Sequence, residues 1–372
     1  MRVIGIFTWL ALVCALSAAT LSNPRRVSTN FEFSVTGESN AIYAIEASWD
    51  LQNWTRVATN RQFGEVRLIS LSASARQEFY RVRPVRTLFT AALAVRESID
   101  FAGSGATVVS FDSRDPSYFF PNGSLDVTRV SDRADITTNS ALTNSLNLGN
   151  AKVYGHVRAP RDGVLVLGPG GVVGSILWHL NVAQGIEPGW YAEVTPRVFV
   201  DAEVPTGHVY VTPGPGSVDG TNYTYLLADG HYTLPELRPT SMLVTGRATL
   251  HVAGSAQVGG RIVIMRNASL DLYVGGPSAA INFSAVSNEN RDPTTFATAF
   301  AYYGLPGNTN VAVSGTGAFA GTFYAPAANI TFGGGGNDDV DFIGAVVGRN
   351  IKVNGRMNVR YDEALGIAGP AW

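Results

Sequence analysis

Asn310-Val-Ala-Val-Ser-Gly, Asn329-Ile-Thr-Phe-Gly-Gly and Asn350-Ile-Lys-Val-Asn-Gly share one form: Asn, apolar, any residue, apolar, any residue, Gly. The copies start 19 and 21 residues apart. Apolar residues alternate in each, which is the period of a strand with one buried face. Between them, Phe319-Ala-Gly-Thr-Phe-Tyr-Ala matches Phe342-Ile-Gly-Ala-Val-Val-Gly, so each repeat holds at least two strands. Upstream, Ala248-Thr-Leu-His-Val returns as Ala268-Ser-Leu-Asp-Leu after 20 residues. Short strands at this spacing, with Gly at the corners, predict a parallel β-helix (β-solenoid) whose stacked coils bury alternating apolar rows. The three Asn residues either form an amide ladder at one corner or reflect ordinary turn preference, and both readings stay open at this level.

Less regular strands at 107–111, 152–157 and 164–167 put the start of the solenoid near Phe101, giving a domain over 101–365 and a tail over 366–372. Two Pro/Gly-rich segments with aromatic residues, 181–225 and 288–308, read as loop insertions on one face. The edge of the last coil needs a cover, supplied by the residues after Tyr361, or else serves as an assembly site. Closer to the N-terminus, alternating runs at 30–35, 41–47, 54–58, 66–71 and 79–82 predict a small antiparallel β-sandwich over 24–84. Residues 85–100 read as a linker, with a short helix at 88–95. The fold class is therefore all-β: a small N-terminal β-sandwich followed by a parallel β-helix with loop insertions.

Composition agrees with that class. Charged residues are 15% of the 372, against roughly a quarter in ordinary soluble domains, and there are 40 glycines. A net charge of -2 and the lack of a Lys/Arg cluster interleaved with aromatics argue against nucleic acid as a partner. The chain opens with Arg2 and an apolar run over 3–19 that ends in Ser17, Ala18 and Ala19, the pattern of a signal peptide over 1–19. A membrane anchor would need about 20 apolar residues, more than this run has, and no later segment reaches that length. After cleavage, no membrane span is expected. The single cysteine, Cys14, lies inside the leader, so the exported chain has no disulfide, and Leu12 and Val13 before it do not fit a lipid-attachment site.

Two resemblances extend this reading. The stretch Tyr43-Ala-Ile-Glu-Ala-Ser-Trp-Asp-Leu-Gln-Asn-Trp-Thr, closed by Phe79-Tyr80-Arg81-Val82, resembles a fibronectin-type-III-like accessory module of bacterial exported proteins. Such a fold implies core packing for Trp54 and leaves Trp49 open. Further on, Ala151-Lys-Val-Tyr-Gly-His-Val, Leu270-Asp-Leu-Tyr-Val-Gly-Gly, Gly321-Thr-Phe-Tyr-Ala-Pro-Ala and Val359-Arg-Tyr-Asp-Glu-Ala-Leu resemble an uncharacterised bacterial β-solenoid domain. That domain is found in exported proteins and in pilus-assembly proteins of the PilX kind. Its members often carry His before the final Tyr-Asp, where this chain has Arg360. The resemblance implies a surface or pilus-associated structural role and brings no catalytic residues with it.

Signals for chemistry are sparse. His156, His179, His208, His231 and His251 lack metal-ligand spacing, and a site made from them requires the fold to gather distant residues. The Gly-rich stretch over 168–174 has Val173 where a dinucleotide fingerprint needs its third Gly. Gly333 to Asp341 fits a calcium-binding nonapeptide, with Asp338 and Asp341 as ligands, but a single copy supplies half a site. Asp112 and Asp115 are the candidate catalytic carboxylates if the solenoid is a polysaccharide lyase or hydrolase, but turn preference explains them without chemistry and is the favoured reading. Trp49, Trp190 and Tyr302 are the candidate glycan-binding aromatics. The expectation is a non-catalytic exported structural or adhesion protein without a cofactor, whose partners are other surface proteins or glycans. A carbohydrate-active enzyme and a glycan-binding adhesin are the alternatives.

Overall fold

The computed structural model describes residues 20–368, except 28–29, 37–41, 53, 62–66, 73–78, 85–86, 102–104, 162, 164, 183, 239, 291–295, 317 and 334–340. The signal-peptide segment 1–19 and Asp338 lie outside the described residues. The structure is built mostly of strands with almost no helix, and the chain divides into two compact units at Thr87/Leu88.

The first unit holds two three-stranded antiparallel sheets. One orders Thr20–Val27, Asn30–Thr36 and Arg67–Ser72, and the other Thr55–Arg61, Ile42–Ser48 and Phe79–Pro84. Alternation in Phe31-Glu-Phe-Ser-Val sends Phe33 and Val35 to a buried cluster shared with Ile45, while Glu32 pairs with Arg25 at 2.8 Å. Tyr80 and Val82 pack on the same cluster, with the Tyr80 ring 5.1 Å from Phe31. Trp54 departs from expectation. It is half-buried outside this cluster, donating its indole N–H to Leu51 O (3.1 Å) beneath the Arg81 guanidinium at 4.1 Å. Cation–π stacking takes the place of core burial.

The second unit is dominated by one large sheet whose strand pairs are parallel. One column of neighbours runs Gly230–Leu234, Arg247–Val252, Ser269–Val274, Phe300–Gly304, Phe319–Gly333 and Phe342–Asn354. It then continues, out of chain order, into Leu93–Phe101, Ile136–Thr138, Val157–Ala159 and Tyr191–Glu193. The last long strand of the chain thus pairs with the first strand of this unit. A second seam pairing joins Asn358–Asp362 to Thr107–Phe111, which continue into Lys152–Val153, Val172–Val173 and Gly185–Ile186. The edge expected to lie open after the final repeat is covered by the beginning of the same unit, not by the residues after Tyr361.

Register explains the core. Leu250, Leu272, Tyr302 and Phe323 are successive partners in one row, and the row crosses the seam through Val346, Leu93, Ile136 and Val157. All eight are buried. Phe319 pairs with Phe342, Asn310 with Asn329, and Asn329 in turn with Asn350, as the repeats predict. The earlier repeat is placed two residues differently: Leu250 pairs with Leu272, not Leu270. A shift of two leaves every side chain on its face, so the pattern tolerates it. The amide ladder exists at one step, where Asn350 Nδ2 donates to Asn329 Oδ1 (2.8 Å). Ser98 extends it with two bonds to Asn350 Oδ1 (3.0 and 2.6 Å), while Asn310 turns to Thr309.

Three expectations are corrected. The segment 88–95 is not a helix in a linker: Leu93–Phe101 is a strand, because pairing with Phe342–Asn354 outweighs local Ala/Leu helix preference. The segment 288–308 is not a surface insertion, since it contains the buried strand Phe300–Gly304. The segment 181–225 is more than a loop. Residues 194–210 run back across the outer face of the strands, held by Asn139 to Arg197, Arg96 to Phe199 O and Asp201, and Tyr324 Oη to Val200 O (2.6 Å). Val211 then bridges Tyr232 at the far end of the column. Pro196 and Pro205 suit such an extended crossing. Under it lie Tyr273, Tyr303 and Tyr324, outward in register yet buried.

Candidate functional site

The sequence-predicted residues do not come together. Asp112 is gripped by Arg114 of its own turn (2.6 and 2.8 Å); burial acts to raise its pKa, but the Arg114 hydrogen bonds and charge bring it below the usual value. Asp115 caps the short helical turn Pro116–Tyr118 by accepting from Ser117 N (2.8 Å). Trp49 is 74% exposed at the tip between Ile42–Ser48 and Thr55–Arg61. Trp190 is half-buried and lies flat on His156, ring centres 4.4 Å apart. Beside His156, Asp135 is half-buried; burial acts to raise its pKa, but the hydrogen bond from His156 and the charge of Arg158 bring its carboxyl below the ordinary range. Tyr302 is removed as a binding residue, because its register between Leu272 and Phe323 puts the ring in the core, with its hydroxyl on Asn308 Oδ1 (2.8 Å). Asp341 is buried and its Oδ2 accepts Asn358 N (2.7 Å), which anchors the start of the neighbouring strand; the rest of the nonapeptide, 334–340, lies outside the described residues. Among the described residues no group of three or more His, Cys, Asp or Glu is arranged for a metal.

The fold does gather histidines that the sequence scatters. His208 stacks on His231 at 3.8 Å, Tyr210 stands 5.4 Å from His231 and 6.4 Å from His251, and His179 stacks on Tyr154 at 3.7 Å. Burial lowers the pKa of His231 and the charge of His208 adds to the effect; burial also lowers His251.

Sequence reasoning missed Asp362 and Glu363, which lie at the seam between the first and last strands. Asp362 Oδ1 accepts Ser113 N (3.1 Å) and Ala364 N (3.0 Å), while Glu363 accepts Ser110 Oγ and Arg133 Nη1 (both 3.0 Å). Burial pushes Asp362 up to about 6, against the bonds from Ser113 and Ala364 and with Asp112 adding to the rise. Because its folded value lies above the unfolded one, Asp362 favours folding at low pH and loses that contribution as pH rises through about 6. Asp362→Asn is therefore expected to be the more stable protein at pH 7.5, by at most about 3 kcal/mol, with the advantage shrinking toward pH 5. Melting temperatures of both proteins across that range check it.

The same seam assembles an open groove. Asn358, Thr107 and Lys152 are register partners on three adjacent strands, and Arg360 is partnered with Val109 in the next outward row. Tyr154 follows Val153 and lines a hollow of about 180 Å³ with Thr107, Val109, Val130, Asn358, Val359 and Arg360. A second hollow of about 420 Å³ shares Thr107 and adds Gly105, Asn150, Lys152 and Arg356. Arg360 is buried at the floor, donating to Val127 O (2.8 Å) and Arg129 O (3.1 Å), so it fastens the overhanging loop. Lys152 and Arg356 are exposed, and among the described residues neither makes an ion pair.

Comparison with known proteins adds one finding. Residues 214–367 match a family model described as a domain of unknown function, DUF7305. No curated protein and no solved structure matches the chain. No pilus-assembly or fibronectin-type-III family model matches the chain. It covers Arg356, Asn358 and Arg360 of the groove but stops short of Thr107, Lys152 and Tyr154.

Proposed function

We propose that the second unit is a parallel β-solenoid and the first a small β-sandwich. In this reading the protein is a non-catalytic structural or adhesion component of the cell surface or extracellular space. The observation that carries it is the seam: the backbone ladder continues from the last strands of the second unit into its first, so both ends of that unit are locked into one sheet. Rigidity of this kind suits a platform, since each added parallel strand extends both the hydrogen-bond ladder and the buried apolar rows. The carboxylates Asp112, Asp115, Asp341 and Glu363 are each bound to neighbouring groups in ways that hold turns and strands, which favours a structural role over a catalytic one. The apolar leader with its small-residue end supports export.

Two measurements test this. Protease added to intact producing cells is expected to degrade the chain, and a chain protected until lysis would overturn the surface assignment. Incubation with a polysaccharide panel is expected to release no reducing or unsaturated sugar. Release abolished by Asp112→Asn would establish the enzyme instead.

A further inference from the structure

We propose that the groove across the seam binds an anionic sugar chain, with Lys152 and Arg356 taking its carboxylates and Tyr154 one of its ring faces. The first support is electrostatic. No carboxylate lines either hollow, whereas Lys152, Arg356 and Arg360 do, in a chain of net charge -2. The carboxylates bordering the groove are engaged: Asp341 accepts Asn358 N, and Glu187 and Asp132, whose charges reach His179, accept Ser175 N and Ile176 N. Burial, joined by the positive charge of Lys152, disfavours the imidazolium of His179, against the hydrogen bond to Val153 O and the charges of Glu187 and Asp132.

The second support is the chemistry between the cations. Thr107 and the Asn150 amide, whose Oδ1 accepts Gly170 N (2.9 Å), are neutral polar groups beside them, and Val109 and Val130 are apolar. A ligand of charge alone would need none of these. A uronate ring uses all of them: hydroxyls for Asn150 and Thr107, an apolar face for the aromatic ring, a carboxylate for ammonium or guanidinium. Tyr154 is held flat for this by His179 against it at 3.7 Å.

Dimensions agree as well. Parallel neighbours lie about 4.8 Å apart, so the row from Asn358 to Lys152 spans roughly 10 Å, the width of about two sugar units. An open groove of this kind admits a chain without requiring its end.

The test titrates the purified full chain with hexamers of polygalacturonate, with cellohexaose as the neutral counterpart and with inorganic phosphate, followed by calorimetry at two salt concentrations. Polygalacturonate is expected to bind at least about tenfold more tightly than either other probe, and more weakly at high salt. Lys152→Ala with Arg356→Ala should weaken it by about tenfold or more, and Tyr154→Leu several-fold. Lys352→Ala, an exposed cation on another strand face, should change nothing, and unchanged melting temperatures establish that the variants fold. Equal binding of cellohexaose or of phosphate overturns the assignment, as does full affinity in the Lys152/Arg356 double variant. Surface location and lack of catalysis do not enter this titration, so its failure leaves the proposed scaffold untouched.

Discussion

Tyr361→Ala is expected to destabilise the second unit by about 4 kcal/mol and to loosen the seam before the rest. Tyr361 is fully buried on Asn358–Asp362, and its hydroxyl donates to Phe89 O at 2.9 Å, so one side chain joins residues at opposite ends of the unit. Truncation removes a large ring and leaves a cavity that paired strands on both sides cannot collapse into. Tyr361→Phe removes only the hydrogen bond and should cost about 1 kcal/mol. Denaturant unfolding gives the two losses. Hydrogen exchange locates them: protection should fall first in Leu93–Phe101 and Thr107–Phe111, and later in Arg247–Val252 and Ser269–Val274. Uniform loss across all four strands would show that the seam is no weaker than the interior.

Gly344→Ala should be as damaging through a different cause. Gly344 has φ +146°, outside the range that L side chains adopt easily, and a Cβ placed there would overlap the carbonyl oxygen of Gly321 on the paired strand. Backbone strain of about 1–3 kcal/mol adds to overpacking of about 1–3 kcal/mol. Gly123 is the control, because it also has positive φ, +82°, but has open space around it. Gly123→Ala should cost about 1 kcal/mol. Similar midpoints for the two variants would refute the close approach of the strands at Gly321 and Gly344.

The match to a domain of unknown function covers 214–367, whereas the ladder it belongs to extends through residues 93–193. On the structure, those residues supply the neighbours of Phe342–Asn354 and Asn358–Asp362. The matched segment alone would therefore leave two strands with open edges, a condition that favours aggregation.

What the sequence determined by itself was the strands of the clearest repeats and the face of each side chain within them. Alternation in Asn329-Ile-Thr-Phe and Asn350-Ile-Lys-Val is a local property, and so are the glycines between strands. Even the two-residue misplacement of Leu250 against Leu270 kept its faces right. The order of the strands was decided by tertiary structure, because a parallel pair is linked by backbone bonds that carry no side-chain label, and any strand of matching pattern fits an open edge. That choice put Leu93–Phe101 beside Phe342–Asn354 instead of in a linker, and turned Tyr302 from a surface aromatic into core. The groove depended on it as well: Thr107, Lys152 and Tyr154 lie some 200 residues or more from Arg356, Asn358 and Arg360, and only the closed seam makes them neighbours.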